Sequence, residues 1–304
     1  MAASRSQSLV APAGSGNPLQ DGVAQRVPRR CPSSTPPEIH VRDYRLDRDG
    51  AAPRWWLAGD PVATAWHNAL SATFPRGEAF FIETVRACRE GAPPALDAAI
   101  RAFVAQEVNH SREHAAFNRQ AAAAGYDLAR IDRRVADLIG ETVGKPPLAR
   151  LAITMALEHF TAMFAHEFLS NPGHFAGCEP AAAALWQWHA TEEIEHKGVA
   201  FDTFRHAAQG WPRRRRWLLR ASIMLLVTRK FLRHRFADAL DLLAQDGIAG
   251  WRARARLAHY LVVRPGVLRR IFPAWLGYFR PGFHPWDLDD RALLAPPEAA
   301  AAGD

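Results

Sequence analysis

The chain has 304 residues, 48% of them hydrophobic, with 38 Lys+Arg against 31 Asp+Glu for a formal net charge of +7. That is enough for one large domain, or two small ones, with a sizeable core. The three cysteines, Cys31, Cys88 and Cys178, are scattered and odd in number, which argues against a disulfide framework and leaves no CxxC pair for zinc or redox cycling.

Residues 1–37 are rich in Ala, Ser, Gly and Pro without periodicity, and read as a disordered leader. They contain no apolar run of signal-peptide length, and nothing later approaches the roughly 20 apolar residues of a spanning helix, so a cytoplasmic location is expected. "EIHVRDYRLD", residues 38–47, alternates weakly and suits a short strand or an extended arm. From about 61 the helical period dominates. Helices are predicted over 61–72, 76–90, 95–124, 147–170 and 180–208, with smaller ones near 128–143, 213–245 and 248–261. Proline and glycine mark the joins at "GAPPA", "GKPPL", "NPGH" and "QGWPRR". Residues 264–290 are aromatic and proline-rich and read as an extended cover, and 291–304 as a frayed tail. The expected division is a helical bundle over 38–208 and a basic helical extension over 209–290 that packs on it. The class is all-α, since no strand-rich region or fixed repeat appears. The segment 125–146 is too long for a tight turn and long enough to cross a bundle.

Ionisable groups concentrate in a few helices. In "WHATEEIEHKG", His189, Glu193 and His196 lie at offsets of zero, four and seven and share one helix face. Glu193 and His196 form a Glu-x-x-His unit that can reach one metal from adjacent turns. "FVAQEVNHSREHAAF" repeats the device with Glu107 and His110, and His114 follows one turn later. Glu158 lies in the apolar stripe of "LAITMALEHFTAMFAHEFL", and Glu78 aligns with Phe81, Ile82 and Val85, whereas Glu83 shares its side with Arg86 and Glu90. Two Glu-x-x-His helices plus two helices with one inward Glu make the ligand set of carboxylate-bridged di-iron or di-manganese bundles, here ferritin-like with its crossover between core helices 2 and 3. The predicted metal ligands are Glu78, Glu107, His110, Glu158, His189, Glu193 and His196. His114 is open to a ligand, supporting or core role, and Glu192 to orienting a histidine. His159 and His166 read as structural.

The motifs "FPRGE", "FVAQEVNH…H", "ALEHFTA" and "WHATEEIEHKGVAFD" resemble the bacterial family labelled predicted metal-dependent hydrolase, over about residues 38–205. The site pattern is also similar to that of the di-iron arylamine N-oxygenases, whose additional histidine matches the place of His189. The mixed carboxylate and imidazole donors favour two iron ions, with manganese as an alternative and zinc a poorer fit. The leading expectation is therefore an oxidoreductase that activates dioxygen, with an electron donor, toward a small organic or lipid-like substrate, shielded by Phe81, Phe103, Met155 and Phe160. The alternative is a metal-dependent hydrolase using a metal-bound hydroxide. A non-catalytic metal-binding or scaffold protein ranks lower.

The positive charge is uneven: residues 205–280 hold seventeen Arg/Lys against three acids, so the remainder is net acidic. "WPRRRRWLLRASIMLLVTRKFLRHRF" alternates cationic clusters with apolar residues. It is read as packing on the bundle with a basic outer face. The other reading is peripheral contact with the inner face of a membrane through Arg213, Arg214, Arg215, Arg216, Trp217 and Arg220, with Leu218 and Met224 dipping in. No nucleic-acid-binding module is recognisable, so a nucleic-acid partner is not expected. A homodimer is left open.

Overall fold

The computed structural model describes residues 37–46 and 52–294; nearly all of the expected leader, and the tail beyond 294, lie outside the described residues. Ten α-helices account for most of the described chain, and no strand is present among the described residues. Proline at the first or second position starts α1 (Pro61–Ser71), α2 (Phe74–Ala87), α3 (Pro94–Ala123), α5 (Pro147–Ser170) and α6 (Pro180–His196). There its missing N–H costs nothing and its fixed φ suits the helix. Asp60 and Glu179 cap α1 and α6 by accepting from backbone N–H groups of the first turn.

Four of these helices form the bundle. α2 packs on α3 and α5, and α6 packs on α5 and α3. The connection between α3 and α5 contains α4 (Ala129–Gly140), which lies against α2. α5 is the central element: it also meets α7 (Val199–Ala207), α8 (Arg213–Gln245) and α10 (Val267–Gly277). By length and composition α5 is apolar enough to cross a membrane, where the sequence reading found no such stretch, but 67% of its most apolar window is buried within the protein. A helix that is apolar all round is one that partners enclose on every side. α8 lies across α1 and α5, and α9 (Gly250–Val262) joins it to α10.

Of the two readings of residues 38–46, the structure shows the arm, without regular secondary structure. Two expectations change. The helix expected over 180–208 breaks after His196, where Lys197 turns inward to Asp290 Oδ1 (2.5 Å) and the Leu288 carbonyl (2.9 Å) and Gly198 sits against Trp286. The segment 264–290 is not an extended cover throughout, because α10 forms with Pro273 inside it. α10 packs on α5 and α9, and burial of Val267 and Ile271 there outweighs the proline.

The α9–α10 join turns on Gly266, at φ 77°, where an added Cβ would lie 2.8 Å from the Val263 carbonyl oxygen. Gly77, inside α2, has nothing within 4 Å of such an atom. Gly266→Ala is expected to destabilise the protein by at least about 1 kcal/mol and Gly77→Ala to stabilise it by about 0.5–1 kcal/mol, opposite signs that urea midpoints will resolve.

Candidate metal centre

The bundle brings all seven sequence-predicted ligands into one buried cluster. Glu78 comes from α2, Glu107 and His110 from α3, Glu158 from α5, and His189, Glu193 and His196 from α6; none is more than 4% exposed. His196 Nε2 lies 3.2 Å from a Glu107 oxygen and 3.5 Å from oxygens of both Glu158 and Glu193. His189 Nε2 is 3.0 Å from Glu193 Oε1, and His110 Nδ1 is 3.6 Å from the same oxygen. Three overlapping sets offer ligand atoms within 4.8 Å of one another: Glu107–Glu158–His196, Glu107–His110–Glu193 and Glu78–His110–His189. The first and last share no residue, so the cluster has two lobes, linked through Glu107, His110 and Glu193. Glu83 is exposed and pairs with Arg150.

The inward atoms lack the partners that burial normally demands. Glu78 Oε1, both oxygens of Glu107 and of Glu158, Glu193 Oε2, His110 Nδ1 and His196 Nε2 are buried without a hydrogen bond. One such group costs a few kcal/mol or more, and several facing each other would not survive without compensation. Burial pushes the carboxyls of Glu78, Glu107 and Glu158 well above the usual range, and neighbouring carboxylates push them further. Burial likewise opposes ionisation of Glu193, but the His196 and His189 imidazoles outweigh it and hold that carboxyl well below its usual value. Burial lowers His110 well below the ordinary histidine value, so its imidazole is neutral. Imidazole nitrogens among an excess of acids form a donor set that two divalent cations would neutralise.

The atoms turned away from the centre are, by contrast, bonded. His110 Nε2–H donates to Glu192 Oε2 (3.1 Å), which leaves Nδ1 as the lone pair facing inward. Glu192, lifted to about 7 by burial although the hydrogen bond from the Arg42 backbone N–H pulls the other way, also accepts from Trp188 Nε1 (3.1 Å). His196 Nδ1 bonds Gln106 Oε1 (2.8 Å), and the Gln106 amide is oriented because its nitrogen donates to Glu195 and to the His40 carbonyl. Behind His189 runs a longer chain. Asn118 Nδ2 donates to the Ser71 carbonyl, so Oδ1 accepts from Ser71 Oγ (2.8 Å). Ser71 Oγ then accepts from His114 Nδ1 (2.9 Å), and His114 Nε2 accepts from His189 Nδ1 (2.7 Å). His114 therefore stands behind His189 and does not face the centre. Ser111 Oγ donates to Glu78 Oε2 (2.9 Å).

Sequence reasoning missed Gln106, Glu195, Ser71, Ser111, Asn118 and Arg42. Gln106 had a visible signal, being four residues before His110 and adjacent to Glu107. Glu195 looked like part of a solvated acidic run, yet it is 3% exposed, because the arm lies over it. The His40 N–H donates to Glu195, the Arg42 N–H to Glu192, and the Leu46 N–H to Glu113.

A cavity of about 400 Å³ reaches this centre from one side. Glu78, His189 and Glu193 line its inner end, and Phe74, Phe81, Phe160, Phe164 and Trp186 its walls. On the opposite lobe, Phe103 lies edge-on to His196 with ring centroids 4.9 Å apart. The residues expected at a membrane divide: Arg213, Arg214 and Arg215 are exposed and Arg216 partly so, but Trp217 Nε1 donates to the Phe279 carbonyl (2.8 Å) and Arg220 is buried on the Arg280 carbonyl. Met224 is 0% exposed. Helical rotation turns these three toward α10 and its C-terminal continuation, away from the face that the arginines occupy.

A helical protein with a buried glutamate–histidine metal site is the class that this geometry defines. The family model described as "Predicted metal-dependent hydrolase" matches residues 40–289, and the chain belongs to that family. The match runs through α8–α10, past the 38–205 stretch that carries the motifs. Comparison with curated proteins and with solved structures gave no match. The family assignment overturns the expected oxygen-activating oxidoreductase, and no comparison links the chain to the N-oxygenases or to ferritin-like proteins. The error has a physical source, since carboxylate and imidazole donors hold the same ions for hydrolytic and for oxidative chemistry.

The raised carboxyls set the pH dependence of the metal-free protein. A pKa raised on folding stabilises at low pH, and that stability is lost as pH rises past the ordinary glutamate value of 4.5, as for Glu78, Glu107 and Glu158; Glu193 and the buried His67, His110, His114 and His159, whose pKa values are lowered, act oppositely, the histidines only below their ordinary value of 6.5. Above about pH 7 the histidines are neutral folded and unfolded, so chelated protein should lose thermal stability as pH rises beyond that point through the raised carboxyls, and metal-loaded protein should not. Parallel melting curves for the two forms above that pH contradict it.

Proposed function

We propose that this chain is a hydrolase that uses two divalent cations held by Glu78, Glu107, His110, Glu158, His189, Glu193 and His196, acting on a small substrate with an apolar body. The observation that carries the reading is the set of buried, mutually facing donor atoms without partners, inside a chain of the metal-dependent hydrolase family. Such a pair of ions supplies Lewis acidity, polarising the scissile carbonyl or phosphoryl group and lowering the pKa of bound water. An oxygen-rich donor set with imidazoles favours iron, then manganese, over zinc.

The residues divide the remaining work. Glu107 and Glu193 belong to the linking part of the cluster and are the carboxylates placed to join the two lobes. Glu78, His189 and Glu193 form the face that meets the cavity, so the scissile group approaches there. The phenylalanine walls hold the apolar body and keep water away from it. Glu192, Gln106 and His114 fix which nitrogen of each imidazole points inward.

Purified full-length protein should carry two metal ions per chain by elemental analysis. It should cleave esters from a panel of carboxylic and phosphoric nitrophenyl esters, lose that activity to a chelator and regain it with added ferrous or manganous ion. Glu193→Gln and His196→Ala should abolish metal-dependent turnover, and His114→Phe should weaken metal affinity about 10- to 100-fold with the fold intact. A folded protein that takes up no metal ends this reading.

A further inference from the structure

The surface of α8–α10 has a composition that the metal centre does not explain. Among the described residues thirteen large hydrophobic side chains are exposed, and nine of them lie between Leu218 and Leu276. The same helices, Arg213–Gly277, hold fifteen Arg/Lys against three acids. Those acids are already engaged: Asp238 by Arg134 and Arg235, Asp241 by Arg130, and Asp246 by Arg54 and Tyr126. The arginines on the outer face therefore have no local acidic partners along their own helices.

Packing gathers part of this surface into one patch. Trp275 Nε1 donates to Thr228 Oγ1 (2.9 Å) and pins α10 to the middle of α8. Leu225 and Leu232 lie three residues before and four after Thr228, and Phe272 stacks on Trp275 at 5.6 Å one turn before Leu276. These four exposed side chains thus flank a single contact. Arg229, Arg233 and Arg269 are exposed on the same turns and rim the patch. Leu226, next to Leu225 and 41% exposed, also lines the cavity that reaches the metal centre, as does Lys230.

We propose that this face docks on an anionic lipid bilayer, with Leu225, Leu232, Phe272 and Leu276 in the acyl–headgroup boundary and Arg229, Arg233 and Arg269 on lipid phosphates. The cavity mouth at Leu226 then opens toward the bilayer, the source of an apolar-chained substrate. Docking stands on the surface alone; the role in substrate supply rests on the hydrolase reading. Apolar side chains ringed by arginine match an anionic interface in both depth and charge. A second copy fits less well, because a two-fold contact would set like-charged arginine rims against each other. The docking surface centres on residues 225–233 and α10, not on Trp217, Arg220 and Met224, which face inward.

The test is co-sedimentation of the full-length protein with vesicles of phosphatidylcholine alone or mixed with phosphatidylglycerol, with size measurement in parallel. The protein should pellet with the mixed vesicles only, and less at high salt. Arg229→Gln with Arg233→Gln should lower the partition coefficient roughly 20- to 30-fold, and Leu225→Asp with Leu276→Asp should abolish pelleting. Both double variants should retain native circular dichroism, metal content and turnover of a soluble short-chain ester. Protein that stays in the supernatant with anionic vesicles overturns the proposal. So does a dimer that Leu225→Asp with Leu276→Asp dissociates while wild type ignores vesicles. Because pelleting is read apart from turnover, a chain that docks but cleaves nothing overturns the hydrolase reading and keeps this one.

Discussion

Four glutamates from four helices face one another in the centre of this protein, with three imidazoles between them. Their mutual repulsion and lost hydration oppose folding, and the surrounding structure is arranged around compensating them. α5 is apolar on every side because it must carry Glu158 to the middle while packing on α2, α6, α7, α8 and α10. The outward atoms of the cluster are hydrogen-bonded, while most of the inward atoms, the Glu193–His189 contact apart, are not. That asymmetry is the mark of a site built for cations, since a polar core serving stability alone would pair the inward atoms too.

The arm at residues 38–46 belongs to the same solution. It has no regular structure of its own, and its backbone N–H groups are satisfied by Glu195, Glu192 and Glu113. In return it orients Glu192 and, through the His40 carbonyl, Gln106, each of which sets the tautomer of an inward histidine. Tyr44 stacking on Trp188 at 4.9 Å adds an apolar anchor next to these polar ones. A segment with almost no intrinsic preference thus acquires one conformation because the acids behind the metal site need donors.

The two lobes of the centre are not equivalent. One is closed by Phe103 against His196, and the other opens through Glu78, His189 and Glu193 into an apolar cavity. On the hydrolase reading proposed above, a substrate enters through this cavity, whose phenylalanine walls favour apolar bodies over hydrated ones. The ligand set by itself does not choose between hydrolytic and oxidative chemistry, which is why the family assignment, and not the donor pattern, corrected the expected reaction.

Much of this was legible in the order of residues. Spacings of three, four and seven place His189, Glu193 and His196, or Glu107 and His110, on one helix face whatever the fold, because the 3.6-residue turn is a local property. A single acid in an apolar stripe, as at Glu158, announces burial in the same way. Only the tertiary structure could decide which of these faces meet, that His114 stands behind His189, and that Glu195 and Gln106 are interior. Those outcomes depend on the arm and on helices distant in sequence. The break after His196 and the formation of α10 around Pro273 were also decided there, where long-range packing of Lys197 on Asp290 and of α10 on α5 outweighs local propensity.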